Sequence, residues 1–342
     1  MQVTGGGSYT ITLPKDWIRM HGVTKGSEVD LHIMPDGSLC IKPVHEKGRQ
    51  QYSATVYIDG SEKLWPAVRR IISYYTSGVT TINIVFKGSP EPELAKKLRE
   101  FVARRLIGVE VVEESSQRIT LQTIAEPRAL PLQTSFRRLA RTVGHMLEDV
   151  VRALKEGSKS ILEEVEERDD IVDKFYIFIV RQVNSILLGL EEPSALGVSS
   201  LAEASLYKMA AKFIERIGDH ATIIASSIKA NIERIGSPAP SCVYPSLLDY
   251  AEKVLSCYQD TINIFLNRKG DVDQEIEEAI ALRRLGDTVA AQTQCIEDME
   301  VILNVRRCLE SFRRTLEYSI DVLEVSINME VLKDLEKQMR SL

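Results

Sequence analysis

The 342-residue sequence lacks the short signatures by which many enzymes are read. No G-x-x-x-x-G-K-[ST] loop, G-x-S-x-G elbow or H-E-x-x-H pair occurs, and His21, His32, His45, His145 and His220 form no H-x-x-x-H pattern. Cysteine is sparse. Cys40, Cys242, Cys257, Cys295 and Cys308 are odd in number, scattered and without a C-x-x-C pair. Buried free thiols are therefore expected, not a disulfide framework or a thiolate zinc site. No apolar run approaches the roughly 18 residues of a membrane helix, and the opening MQVTGGGSYT has no basic segment leading into an apolar one. A cytoplasmic protein without membrane insertion is the expectation. Positive charge is not in excess: 43 Lys and Arg stand against 49 Asp and Glu, a net charge of -6. Any DNA contact then needs a local basic surface. What is present is a globular composition, 44% hydrophobic and 27% charged, at a length suited to about two or three domains.

The pattern divides the chain into four segments. Residues 1–48 read as a small β-rich unit with strands SYTITL, EVDLHIM and SLCIKP and a short helix in PKDWIRMHG. Pro14 suits a first helical turn, Gly22 the position after a helix end, and Pro35, Asp36 and Gly37 a tight turn between strands. So small a unit is short of apolar area, and dimerisation is the expected remedy. Residues 49–126 alternate strand, helix, strand, helix and two strands, an α/β module with right-handed crossovers and partly parallel pairing. Beyond Pro127 and Pro131 the pattern is almost continuous helix, broken at Gly157, at 191–197 (EEPSALG), at 236–241 (GSPAPS) and at Gly270. These breaks predict two antiparallel three-helix bundles, 127–238 and 239–342, as an internal repeat.

Chemistry concentrates in the first bundle. On the helix over 158–189, Leu162, Tyr176, Val183 and Leu190 recur every seven residues beside Val165, Val172, Ile179 and Ile186. Asp169 interrupts that seam, and Asp173 follows one turn later on the same side. On the helix over 198–232, Glu215 and Asp219 share one face beside Ala211 and Gly218, small residues that permit close helix approach. Like charges so stacked cost roughly 0.2 to 0.5 kcal/mol unless a cation intervenes. Two readings stay open: a cluster of oxygen ligands, which suits a hard multivalent cation and leaves iron, zinc, magnesium or a similar ion as the metal, or a solvated face paired with Arg168 and Arg216. A ferritin-like di-iron site needs E-x-x-H, which is absent.

Two resemblances follow from these residues. ERDDIVDKFY and FIERIGDHATIIASS resemble the PhoU domain, which implies metal binding at Asp169, Asp173, Glu215 and Asp219 and a regulator of phosphate uptake rather than an enzyme. The second repeat departs from the pattern: RRLGDTVAA keeps Asp287 but has alanine where the second acid falls, and Arg313 and Glu317 stand at the positions of Glu215 and Asp219. ITLPKDWIRMHGVTKGSEV resembles the AbrB-like swapped-hairpin domain, which implies an interleaved dimer and DNA contacts at Lys15, Arg19 and Lys25. Six Lys and Arg against five Asp and Glu over residues 1–50 make that field barely positive, so a module for dimerisation alone remains the other reading.

The combined expectation is a multidomain chain with a swapped-hairpin amino-terminal domain, an α/β middle domain and tandem all-α PhoU-like bundles. The arrangement resembles archaeal phosphate uptake regulators that bind DNA as homodimers. The alternative is a metal-binding adaptor that docks on a phosphate transporter or sensor kinase without touching DNA. A metal-dependent hydrolase ranks last, because no base or nucleophile with a partner is visible.

Overall fold

The computed structural model describes residues 2–4, 8–33, 37–44, 52–88 and 91–341. The glycines Gly5 to Gly7 and the turn residues Pro35 and Asp36 fall outside the described residues. The chain divides into two compact units, residues 1–51 with 335–342, and residues 52–334.

In the first unit, β1 (Gln2–Thr4) pairs antiparallel with β2 (Ser8–Thr10). After helix α1 (Lys15–Met20), β3 (Val29–Ile33) pairs with β4 (Leu39–Pro43), from Val29 opposite Pro43 to Ile33 opposite Leu39. β1 is additional to the three strands read from the sequence. Pro14 immediately precedes α1 at φ -58°, and Gly22 follows it at φ +59°. No residue of α1 is buried, and Tyr9, Leu31, Ile33 and Leu39 leave 68, 59, 83 and 52% of their surfaces exposed. Apolar strands this open provide little core of their own.

The second unit begins with the α/β module. Strand β5 (Ser53–Asp59) leads through α2 (Leu64–Thr76) to β6 (Thr81–Lys87), and α3 (Pro92–Arg105) leads to the hairpin β7 (Val109–Ser115) and β8 (Arg118–Thr123). The strand order is β5-β6-β8-β7; β5 and β6 are parallel and the other neighbours antiparallel. Period-two alternation sends Val56, Ile58, Ile82, Ile84, Ile119 and Leu121 inward, against Val68, Ile71, Leu98 and Val102 of the two helices. Gly108 admits no side chain: its φ is +68°, and a Cβ there would stand 2.0 Å from that of Ala125.

The remaining helices are α4 (Leu132–Glu156), α5 (Lys159–Leu187), α6 (Leu201–Ile235), α7 (Tyr244–Asn267), α8 (Val272–Ala291) and α9 (Met299–Ser341). Each expected break separates two of them. Gly157 ends α4 at φ +65° and Gly236 ends α6 at φ +68°. Ser200 accepts the Glu203 amide at 3.1 Å while the Glu203 carboxylate accepts the Ser199 amide at 2.6 Å, which fixes the start of α6. The two bundles share one core: the rings of Phe136 (α4), Tyr207 (α6) and Phe265 (α7) lie 4.7 to 5.7 Å apart, and the Tyr258 hydroxyl (α7) donates to the Ala140 carbonyl (α4) at 2.7 Å.

Helix α5 serves two cores. Leu162, Val165, Val172, Ile179, Val183 and Ile186 face the bundle as the seam requires, while Ile177 and Phe178 on the opposite side enter the core of the α/β module. The seam stops short of its expected end, because α5 closes at Leu187 and Leu190 lies beyond it. Near that end the buried Arg181 guanidinium donates to the carbonyls of Tyr75, Val79 (3.0 Å) and Gly78 (3.4 Å), and Asn184 donates to that of Thr76 at 2.9 Å. These carbonyls sit at the negative C-terminal end of α2, where a cation is favoured.

The expectation of buried free thiols holds for Cys257 and Cys308 but not for Cys242 and Cys295, which form a disulfide. It joins the turn before α7 to the 3-10 turn Gln292–Cys295, across 53 residues of sequence. The bond depends on two loops meeting in space, and no local spacing announces it. Replacing both cysteines with serine should cost about 2 to 4 kcal/mol of stability, measured as a lower denaturant midpoint. An equal loss for the parent in reductant, with none in the double variant, would assign the effect to the disulfide.

Candidate functional site

Where α5 and α6 run side by side, Gly218 removes the side chain that would keep them apart. A Cβ at that position would stand 3.0 Å from Val172 of α5 and 3.4 Å from Val143 of α4. This close approach brings the acids of both helices into one electrostatic neighbourhood. Asp169, Asp170 and Asp173 project from α5, and Glu215 and Asp219 from α6; Asp169 feels Asp173 and Asp219, while Glu215 feels Asp219 and Asp173. All four expected acids therefore meet, and Asp170 joins them. A cleft of about 370 Å3 opens beside them, lined by Asp169, Arg216, Asp219, His220 and Thr222, with Tyr318 contributed by α9.

The electrostatics record the strain of this arrangement. Burial first, then repulsion from Asp173 and Asp219, pushes the Asp169 carboxyl up to about 6. Burial also raises Asp173, against the lowering effect of Arg105, and raises Glu215, against its hydrogen bonds from Lys212. Burial lowers His220, whose ring Nδ1 lies 3.3 Å from the Ser311 hydroxyl.

Basic side chains offset part of the negative charge. Lys212 donates to both Glu215 oxygens at 2.7 and 2.6 Å, and Arg216 reaches Asp219 at 3.3 Å. From the α/β module, Arg105 at the end of α3 donates to Asp170 at 2.7 Å, contacts Asp173 and stands 4.0 Å from Asp169. Arg168, expected as a partner here, instead pairs with Asp149 of α4 and with Glu164 at 3.3 Å, one turn back along its own helix. The Oδ1 of Asp169 is buried and receives no hydrogen bond. With the side chains held in these ion pairs, no three His, Cys, Asp or Glu among the described residues are arranged to hold a metal ion. The donor set nevertheless suits a hard multivalent cation: it is all oxygen, under-neutralised, and contains one buried oxygen without a partner.

Sequence reasoning missed Arg105, Asp170, Lys212 and His220. Asp170 lies in ERDD, His220 in FIERIGDHA and Lys212 immediately before it, beside the expected acids, and all three could have been found there. Arg105 is 65 residues from Asp170 and carries no local signal. In the second repeat, Glu317 is paired with Arg283 at 3.2 Å, Arg314 at 2.9 Å and Arg313 at 3.9 Å, so it is saturated by arginine. In the first unit, Lys15, Arg19 and Lys25 are all exposed, and Lys15 and Arg19 lie four apart on α1.

Known proteins match parts of this chain. Residues 136–228 match the family model of the PhoU domain, and residues 2–49 match that of the antidote-toxin recognition MazE, bacterial antitoxin. The first match spans α4 to α6 and contains all four expected acids. No curated protein matches the chain. Among solved structures, PhoU from Pseudomonas aeruginosa aligns at 19% identity over 57% of this chain and 93% of its own, with a TM-score of 0.46. The phosphate transport system regulatory protein PhoU from Streptococcus pneumoniae aligns at 17% identity over 58% and 93%, with a TM-score of 0.43.

The raised Asp169 carboxyl predicts a pH dependence. A carboxyl with a higher pKa in the folded state binds more protons folded than unfolded, so its contribution to stability falls as pH rises from the ordinary 3.8 to about 6. In chelator, Asp169→Asn should be more stable than the parent above that window, and the advantage should vanish toward its lower end. Denaturant midpoints across the window measure it; a constant difference would show that Asp169 does not titrate there.

Proposed function

We propose that this chain is a regulator of phosphate uptake, with a cation site in its first helical bundle and a DNA-binding amino-terminal unit that works as a homodimer in the cytoplasm. The PhoU-domain match over 136–228 supports the regulatory class. The observation that carries the cation site is the buried Oδ1 of Asp169, without a hydrogen bond among five clustered carboxylates. Asp169, Asp173, Glu215 and Asp219 would hold the ion. A bound cation would supply the positive charge that the cluster lacks. The chain's own residues do the rest: α5 and α6 present the carboxylates at the spacing Gly218 permits, and Lys212 and Arg216 hold Glu215 and Asp219 in position.

Support for the DNA-binding reading is the MazE-model match over 2–49 together with the exposed cations Lys15, Arg19 and Lys25. The open apolar strands around Leu31 and Ile33 favour completion by a second copy. The near-balance of charge over residues 1–50 favours the second reading, an adaptor that docks on a phosphate transporter or sensor kinase and leaves DNA alone. A gel-shift with DNA from beside phosphate-transport genes separates the two.

Two outcomes are expected. A cation that binds only the folded chain stabilises it by RT ln(1 + [L]/Kd), about 2.7 kcal/mol at a hundredfold excess over Kd. The parent should therefore melt higher with metal and lower with chelator, and Asp169→Asn should lose most bound metal by elemental analysis while keeping its helices. Unchanged metal content would return the cluster to ion pairing alone. For DNA, Lys15→Ala with Arg19→Ala should weaken binding about uniformly across sequences and make the log-log salt slope shallower by roughly 0.9 for each phosphate no longer neutralised. Identical slopes would remove these two side chains from the interface.

A further inference from the structure

Arg105 is the half-buried cation that another module brings into the cluster; its neighbour Arg104, mostly exposed, stands 3.9 Å from Asp170. Its guanidinium lies across three carboxylates of a single helix turn: Asp170 at 2.7 Å, Asp173 in direct contact, and Asp169 at 4.0 Å. The side chain is only 22% exposed and ends α3, whose Val102 and Leu98 are buried in the core of the α/β module. Lys212 and Arg216, by contrast, belong to the same helix as the acids they pair with, although Lys212 also lies 4.8 Å over the Tyr176 ring of α5; neither reaches the α/β module.

We infer that Arg105 is a built-in competitor for the cation, setting the affinity of the carboxylate cluster and tying its occupancy to the end of α3. The inference rests on reading the cluster as a cation site. A multivalent ion needs carboxylate lone pairs of Asp169 and Asp173, and the guanidinium already engages Asp173 and stands beside Asp169. The two positive charges also repel at this range in a half-buried setting. Entry of the ion therefore displaces Arg105 and removes the ion-pair anchor of the last turn of α3, leaving it held by Val102 and Leu106 in the module's core. Arg181 and Asn184 keep the module docked at the far end of α5, so the change is confined to the α3 terminus and the start of β7. An intramolecular cation at the site raises the apparent dissociation constant for the ion in inverse proportion to the fraction of time it leaves the carboxylates free, and displacement of Arg105 follows ion occupancy.

The test titrates Mn2+ into the full-length chain and into Arg105→Gln by calorimetry, with amide hydrogen exchange followed in both. Removing the competitor should tighten binding by at least about tenfold, equivalent to ~1.4 kcal/mol. In the parent, Mn2+ should speed exchange over residues 101–108 and slow it around Asp169; in Arg105→Gln, exchange over 101–108 should be fast already and unaffected by the ion. Equal affinities, or weaker binding by the variant, would overturn the competitor role while leaving the cation site standing. Absence of binding in both proteins, with Zn2+ as well as Mn2+, would overturn the cation site itself and this inference with it. Should Arg105→Gln fail to fold by circular dichroism, the parent alone decides: Mn2+ saturation without faster exchange over 101–108 would refute displacement. Arg105→Lys, which keeps the charge and stem but loses the planar fork, should then bind Mn2+ more tightly than the parent; affinity equal to the parent's would also refute it.

Discussion

Three aspartates within five residues of α5 repel one another, and much of the molecule is arranged around the way that repulsion is offset. Water could relieve it, but the close passage of α6 permitted by Gly218 half-buries the acids and adds two more. Relief comes instead from cations on two helices: Lys212 and Arg216 on α6, and Arg105 with the more exposed Arg104 on α3. The α3 pair crosses between modules. The charge problem of one helix is thereby converted into a docking contact for the α/β module.

That docking has a second pole of opposite sign. At its amino-terminal half α5 offers carboxylates to the arginine that ends α3; toward its carboxy-terminal end it offers Arg181 to the carbonyls that end α2. Between the poles, Ile177 and Phe178 supply the apolar contact. The two poles are not equivalent. Arg181 is buried and bonded to backbone, which cannot change its charge or leave. Arg105 is bonded to carboxylate side chains. One end of the docking contact thus rests on backbone carbonyls and the other on ionisable side chains.

Local chemistry made most of this architecture legible in the sequence. Gly157, the stretches at 191–197 and 236–241, and Gly270 mark helix breaks because left-handed or proline-restricted backbone must be written into the residues that adopt it. The seam along α5 was legible for the same kind of reason, since heptad spacing is a property of one helix, and Asp169 was conspicuous as its interruption. Features made by two distant segments left no such trace. Arg105 reads as one more basic residue at a helix end, Cys242 and Cys295 as scattered thiols, and Ile177 with Phe178 as an excess of apolar residues beside the seam. Arg168 misled because sequence adjacency to Asp169 implied partnership, whereas successive residues of a helix point about 100° apart and Arg168 turns to Asp149 on α4.

The contrast between the two bundles follows from the same electrostatics. In the second, arginine stands in place of an acid at position 313, and Arg283, Arg313 and Arg314 surround Glu317 and Glu310 in an arginine-rich network whose carboxylates are paired. Such a network has no under-neutralised oxygen to offer a cation, and breaking any pair exposes another charge. The first bundle retains the opposite condition, an excess of carboxylate and one buried oxygen without a donor. The two bundles thus share one core while differing in the balance of charge on their surfaces.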